Sequence, residues 1–165
     1  MAITFLKALV RFGVFAVLAA ASFFVCSHYV VKSVQVSGNS MVPTLHDGDQ
    51  YMLSKWAYAL RTPQRGEVVV LKDPEDHGFD IKRIIAVGGD TVRLKGGAVY
   101  VNNEKLTEPY LIFGTTTHTL SKVKDKVIFL GKDRYFVLGD NRWHSTDSRI
   151  FGAIGRESIL GLIRL

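Results

Sequence analysis

The chain has 165 residues, of which 47% are hydrophobic and 22% charged, and it contains 15 Gly but only 4 Pro. This composition excludes a disordered or collagen-like chain, and the length excludes two large domains. The single cysteine, Cys26, excludes an internal disulfide and a zinc site built from cysteines. Of the net charge of +6, three charges come from Lys7, Arg11 and Lys32. The rest of the chain has 18 basic and 15 acidic residues, an excess of only +3. So small an excess argues against nucleic-acid binding.

The N-terminal segment is apolar, and residues 12–31 contain no Lys, Arg, Asp or Glu. As a helix rising about 1.5 Å per residue, these 20 residues span about 30 Å, the thickness of a bilayer's hydrocarbon core. We therefore predict a transmembrane anchor. The alternative is a cleaved secretory signal, for which Ala19 and Ala21 would form a small-x-small site.

The flanking charges predict the orientation of this anchor. Lys7 and Arg11 precede it without an acidic partner, which favours a cytoplasmic N-terminus and places the chain after Lys32 on the far side. We predict that residues 1–32 form the cytoplasmic tip and anchor in the cell's inner (cytoplasmic) membrane. Residues 33–165 then form a domain on the outer face.

Beyond the anchor, short segments rich in Val, Ile, Tyr and Phe are separated by turn residues. They are VKSVQV, YMLSK, GEVVVLK, DIKRIIAV, DTVRLK, GAVYVNNEKL, KVIFL, RYFVLGD and ILGLIRL. Their alternation and spacing predict an antiparallel, mainly β fold, with a helical stripe suggested only over residues 53–60. Residues from about 93 to 132 are polar and carry no candidate chemistry, which predicts an inserted, non-catalytic β subregion beside a smaller catalytic core.

One candidate for a nucleophile stands out. Ser40 follows Gly38 and Asn39, where a tight turn would expose its hydroxyl and aim backbone N–H groups at a carbonyl oxygen. A serine hydroxyl needs a base. His144 is one candidate for that base, although a loop histidine is more often a solvated polar residue. Lys82 is the better candidate, because its apolar surroundings would favour the neutral amine.

The residues alone leave the base unsettled. Lys82 and Arg83 are adjacent, so on a strand they face opposite ways, and either one fits the interior. A strand lysine that points to solvent is the commoner arrangement.

Four motifs occur in order behind the apolar segment: SGNSMVPTL, RGEVVVLK, IKRIIAVGGD and GDNRWHSTDSR. Together they resemble the type I signal peptidases, membrane-anchored Ser-Lys endopeptidases that remove signal peptides from exported proteins. The resemblance covers about residues 34–165, with 93–132 only loosely matched. It implies an antiparallel β core of the signal-peptidase type that works without a metal or other cofactor.

The resemblance implies a role for each matching residue. Ser40 becomes the acylated nucleophile, and its backbone N–H contributes to the oxyanion hole. Lys82 becomes the general base, oriented by Ser145. Some members carry a serine where this chain has Gly38, so the second oxyanion donor is left open. The residues expected to support the site's structure are Pro43, Asp147 and Arg149, with Asp140 and Arg142 as further members of an ion-pair scaffold.

The resemblance also implies the substrate. An extended peptide would lie between the segment before Ser40 and the segment leading to Lys82, and its small residues would enter pockets lined by Val34, Val36, Met41 and Ile81. Cleavage after Ala-x-Ala is therefore expected. The expected partners are exported preproteins and the lipid bilayer, with export machinery as a further candidate, and Trp56 and Tyr58 either rest on lipid or pack in the core.

Two alternatives remain. One is a specialised relative, such as a pilin-processing or cyclising Ser-Lys peptidase or a self-cleaving repressor-type protease. The other is a catalytically inactive, membrane-anchored β domain that only binds exported peptides.

Overall fold

The computed structural model describes residues 2–74, 77–119 and 126–165. It begins with helix α1, Ala2–Val30, and Val31, the last residue of the predicted anchor, is instead the first residue of a strand. In the described part of the chain, no helix combines the length and hydropathy required of a membrane span. The side chains of residues 24–31, the outer end of the predicted anchor, lie outside the described part.

Two antiparallel sheets follow, and with the short α2, Ser148–Phe151, they confirm the prediction of a mainly β fold. The strands of the larger, seven-stranded sheet run in the order β1-β2-β11-β3-β4-β9-β10. In chain order they are β1 (Val31–Gln35), β2 (Gln50–Ser54), β3 (Val68–Lys72), β4 (Phe79–Ala86), β9 (Arg134–Leu138), β10 (Ile154–Gly155) and β11 (Ile159–Ile163).

The smaller sheet has the order β7-β6-β5-β8, with β5 (Thr91–Lys95), β6 (Ala98–Val101), β7 (Glu104–Lys105) and β8 (Lys126–Phe129). It occupies described residues within 91–129, and the predicted insert over 93–132 stays a prediction. The segment GAVYVNNEKL is two strands rather than one. Asn102 and Asn103 have φ values of 54° and 68°, the left-handed conformation that a two-residue hairpin turn needs and that Asn tolerates well.

The prediction of a helical stripe over residues 53–60 is wrong. Leu53 pairs with Lys32 and Ile163 inside the sheet, and only Trp56–Tyr58 form a single 3-10 turn. That turn separates the two aromatic residues: Trp56 is 57% exposed, whereas Tyr58 is buried and donates a hydrogen bond to Glu67. The lipid-facing alternative for Tyr58 is therefore wrong.

The core is formed where the inner faces of the strands meet. Three clusters of buried side chains are formed by the described residues. One of them joins the two sheets by packing Phe136 and Leu138 of β9 against Val92 and Leu94 of β5. Phe136 is fully buried, while Phe129 on β8 is 72% exposed.

These two phenylalanines give a matched test of the core. Phe136→Ala should lower the free energy of unfolding by about 3–5 kcal/mol, because it removes apolar contacts and leaves a cavity. Phe129→Ala should change it by about 0.5 kcal/mol or less, since that ring is largely in solvent already. Urea denaturation of the full chain in detergent measures both values. Equal losses would contradict the described packing.

Candidate active site

The turn that carries Ser40 is held by hydrogen bonds on both sides. Gly38 has a φ of +88°, a conformation that side chains rarely adopt, and its N–H donates to Asp47 Oδ1 at 2.8 Å. The Ser40 carbonyl accepts from the Asn141 N–H at 2.9 Å, and the Asn39 carbonyl accepts from the Asn141 side chain at 3.0 Å. The glycine therefore serves the shape of the turn, and its N–H is already engaged by Asp47.

Lys82 lies on β4 and is 1% exposed. Its amine is 2.8 Å from Asp80 Oδ2. Arg83, the next residue, lies on the opposite face, where it pairs with Asp140 at 2.6 Å and donates to the Gly66 carbonyl. Both cations are thus buried, on opposite faces of the strand, and the role of Lys82 as the base stays a prediction.

Ser40 and Lys82 line the same cleft, whose volume is about 400 Å³. The other lining residues are Ser37, Gly38, Asn39, Asp73, Asp80, His144 and Thr146. Nothing in the sequence pattern singles out Asp73. Asp80 had one available signal, since it stands two residues before Lys82, the spacing that puts two side chains on one strand face. In the ranges that the structure describes, no group of three or more His, Cys, Asp or Glu is arranged to hold a metal ion.

Ser145 lies close to the main chain of Ser40. A Cβ built on Gly139 would overlap the Ser145 hydroxyl and lie 2.5 Å from the Ser40 carbonyl oxygen, so both groups pack against this glycine. Ser145 Oγ is buried, and no described residue hydrogen-bonds to it. Because the amine of Lys82 bonds to Asp80 here, the orienting role of Ser145 stays a prediction.

A buried ion pair stabilises the loop that contains Gly139 and Ser145. Asp147 pairs with Arg149 at 2.8 Å, accepts a hydrogen bond from the Gly139 N–H at 3.1 Å and caps α2 by accepting from the Arg149 N–H. Asp140 and Arg142 take part in separate pairs, with Arg83 and with Glu108 respectively.

The residues that follow Ser40 in the chain are also held in place. The Val42–Pro43 peptide bond is cis, and the Thr44 hydroxyl donates to Asp140.

An apolar pocket of about 200 Å³ adjoins the cleft. It brings together all four residues that the resemblance suggested, Val34, Val36, Met41 and Ile81, with Gln35, Ser37, Ser40, Val70, Phe79 and Asp80. Strand β1 is the edge strand of its sheet, and β4 pairs with β9 only from Arg83 onward. Three strands separate β1 from β4 in the sheet order, yet both line this pocket, so the sheet is curved enough to leave a slot between β1 and the part of β4 that does not pair with β9.

Comparisons with known proteins identify relatives of this chain. The family model described as signal peptidase, peptidase S26, matches residues 7–165. A probable signal peptidase I-2 of Synechocystis is 40% identical over 139 residues, which cover 81% of this chain and 61% of that protein. Signal peptidase I V of Bacillus subtilis is 35% identical over 137 residues, covering 78% of this chain and 81% of that one.

A solved structure is similar as well. The crystal structure of a signal peptidase I from Enterococcus faecalis superposes with a TM-score of 0.53 at 27% identity and covers 63% of this chain and 98% of that one. This likeness confirms the predicted signal-peptidase fold, and the family match extends over nearly the whole sequence. The chain therefore belongs to the signal peptidase family, peptidase S26, as a type I signal peptidase and serine endopeptidase.

Proposed function

We propose that this chain removes signal peptides from exported preproteins, with Ser40 as the nucleophile and Lys82 as the general base. One observation carries the proposal: Ser40 and the buried Lys82 line a single cleft that opens onto a small apolar pocket. A catalytically inactive peptide-binding domain would need the pocket but not a serine and a buried lysine in one cleft. The family membership supports the same substrate class.

In the proposed reaction, Ser40 Oγ attacks the carbonyl carbon of the scissile bond while the neutral Lys82 amine takes the hydroxyl proton. The lysine then gives that proton to the leaving amine, and the signal peptide remains as an ester on Ser40. A water molecule, activated by the same amine, hydrolyses the ester. The Ser40 N–H stabilises the oxyanion, and the Gly38 N–H is not the second donor because it is bonded to Asp47.

The slot between β1 and β4 suits an extended peptide, which would add itself as a strand to the free edges. Side chains of a strand alternate, so the residues one and three before the cut face the same way. The valine and isoleucine side chains in the wall of the pocket limit how large a residue can enter at those positions. Ala-x-Ala specificity is therefore proposed.

Helix α1 is proposed as the membrane anchor. Its described apolar side chains lie in solvent with no protein surface against them, among them Phe12 at 74% and Phe15 at 72% exposure. Residues 12–31 carry no charged side chain, and Lys7 and Arg11 precede them. This arrangement favours a single span with a cytoplasmic N-terminus, which would hold the catalytic domain at the outer face of the cytoplasmic membrane.

Ser40→Ala and Lys82→Ala should each reduce cleavage of an Ala-x-Ala precursor at least about a thousandfold, because each removes a group that the reaction requires. Ser145→Ala should lower the rate without abolishing it. Cleavage by the detergent-solubilised full chain is followed by gel electrophoresis, with Lys95→Ala, an exposed lysine of β5, as the control that stays active. Turnover by Lys82→Ala at the wild-type rate would refute the dyad, and no cleavage by wild type across several precursors would favour a specialised or inactive relative.

Val36→Ala should let the enzyme cleave precursors with valine or leucine at the two small positions, by about tenfold or more over wild type, because it widens the pocket. Val92→Ala is the matched control, since it removes the same atoms from a buried valine of the second sheet. That variant should lose stability but keep wild-type selectivity. Unchanged selectivity in both variants would contradict the pocket assignment.

The full chain should stay in the membrane pellet after extraction with alkaline carbonate. The double variant Phe15→Arg and Leu18→Arg should be extracted, because each arginine near the middle of a span costs about 2.5–3.5 kcal/mol. Phe129→Arg, outside α1, should remain in the pellet. Extraction of the wild type would refute the anchor, and loss of an N-terminal tag in the cell would indicate a cleaved signal instead.

A further inference from the structure

The slot between β1 and β4 has a direction. Neighbouring strands pair antiparallel at every step from β1 through β2, β11 and β3 to β4, so β1 and β4 themselves run the same way. The chain continues from β1 to Ser40, and β4 leads to Lys82. Both edges of the slot therefore run from one end toward the proposed catalytic residues.

The other end of the slot is the one that the chain joins to the proposed anchor. Helix α1 ends at Val30, and β1 begins with the next residue, Val31. Phe79 is the first residue of β4 and lies three residues before Lys82, about 10 Å along an extended strand. A peptide that leaves the bilayer beside α1 would thus pass Phe79 before it reaches Lys82.

Phe79 is an exposed aromatic residue in the wall of the apolar pocket. It lies two residues before Ile81 on β4, so the two side chains face the same way, and both line the pocket together with Val34 of β1. Even so, Phe79 is 77% exposed, and Lys72, its partner on β3, is exposed as well. The described part of the chain leaves most of this ring uncovered, and an apolar side chain of a ligand would gain by packing on it.

A signal peptide carries apolar side chains at the matching distance from its cut. Its apolar stretch comes before the small residues of the cleavage site. When the residue before the cut lies level with Lys82, a rise of about 3.3 Å per residue places about the fourth residue before the cut level with Phe79. The small residues are then in the pocket, and the end of the apolar stretch meets the ring.

We propose that Phe79 is a specificity-determining residue: its exposed ring binds an apolar side chain of the signal peptide four or five residues before the cut. The peptide runs in the same direction as β1 and β4. This inference rests on the proposed function, since it takes Ser40 and Lys82 as the place of the cut. The enzyme thereby recognises the junction between the apolar stretch and the small residues, and not the small residues alone.

The experiment compares two precursors within each enzyme variant. Both carry Ala-x-Ala, and the fourth and fifth residues before the cut are leucine in one and serine in the other. The value of kcat/KM is measured for each with the full chain in detergent. The ratio of the two values does not depend on how much of a variant is folded. The wild type should favour the leucine precursor by about fivefold or more, because leucine buries apolar surface against the ring.

Three variants separate the ring from other effects. Phe79→Ser should reduce the leucine preference to about twofold or less, since the apolar surface is gone. Phe79→Leu should keep most of the preference because it keeps an apolar side chain. Phe129→Ser is the matched control, since Phe129 is 72% exposed on β8 and borders neither the cleft nor the pocket. Its ratio should equal that of the wild type.

A second pair of precursors tests the direction of the peptide. These carry leucine or serine at the fourth and fifth residues after the cut. Phe79→Ser should leave their ratio unchanged. A change in this ratio, with none for residues before the cut, would overturn the proposal.

The same leucine preference in the wild type and in Phe79→Ser would also overturn the role of Phe79. An equal loss of cleavage on both precursors, with the ratio unchanged, would overturn it too and would assign the ring to the lipid or detergent surface. Both results leave the dyad standing. Full activity of Ser40→Ala or Lys82→Ala would instead refute the proposed function on which this inference rests.

Discussion

The buried ion pair between Asp147 and Arg149 is the interaction on which the geometry of the site depends. Asp147 neutralises the guanidinium, accepts from the Gly139 N–H and caps the single turn of α2. Gly139 in turn packs against the Ser40 carbonyl and the Ser145 hydroxyl. A buried charge that loses its partner costs several kcal/mol, so this pair fixes one arrangement of the loop. The main chain at Ser40 is thereby held by an ion pair that does not line the cleft.

Strand β4 carries two neighbouring cations on opposite faces. Arg83 faces the side where Asp140 and the ring of Tyr110, 4.0 Å from the guanidinium carbon, hold it in place. Lys82 faces the cleft, with a carboxylate that is partly open to solvent. An arginine keeps its charge under all ordinary conditions, which suits a fixed support, whereas a lysine can be neutralised by its surroundings. Adjacent positions on one strand thus place an arginine against the scaffold and a lysine in the cleft.

The smaller sheet supports the site without lining it. None of its described residues borders the cleft or the apolar pocket. Two residues between β7 and β8 nevertheless contact the loop that contains Ser145. Glu108 pairs with Arg142 of that loop, and Thr117 accepts a hydrogen bond from the same guanidinium. These contacts hold the loop in addition to the Asp147 pair. The smaller sheet thus stabilises the loop without forming the surface that a peptide would contact.

The sequence by itself determined the strand segments, the mainly β fold and the family, because alternation of apolar residues and the order of four motifs are local properties of the chain. It also pointed to Ser40, since Gly38 supplies the left-handed conformation that the turn uses. It did not decide between Lys82 and Arg83. Successive side chains of a strand point to opposite faces, but the sequence does not say which face borders the cleft. Both faces of β4 are covered, so only the folded sheet shows where each cation lies.

The same reason explains the residues that the sequence analysis missed. Asp80 lines the cleft and the pocket because the fold brings the Ser40 turn and β1 close to β4. The sequence could not separate Trp56 from Tyr58 either, because burial of an aromatic ring depends on which strands pack against it. Strand periodicity and turn chemistry are encoded between near neighbours, whereas the cleft is formed by segments about a hundred residues apart in the chain, such as Asn39 and Asn141. Only tertiary packing brings such segments together, and it alone decided which side chains surround Lys82.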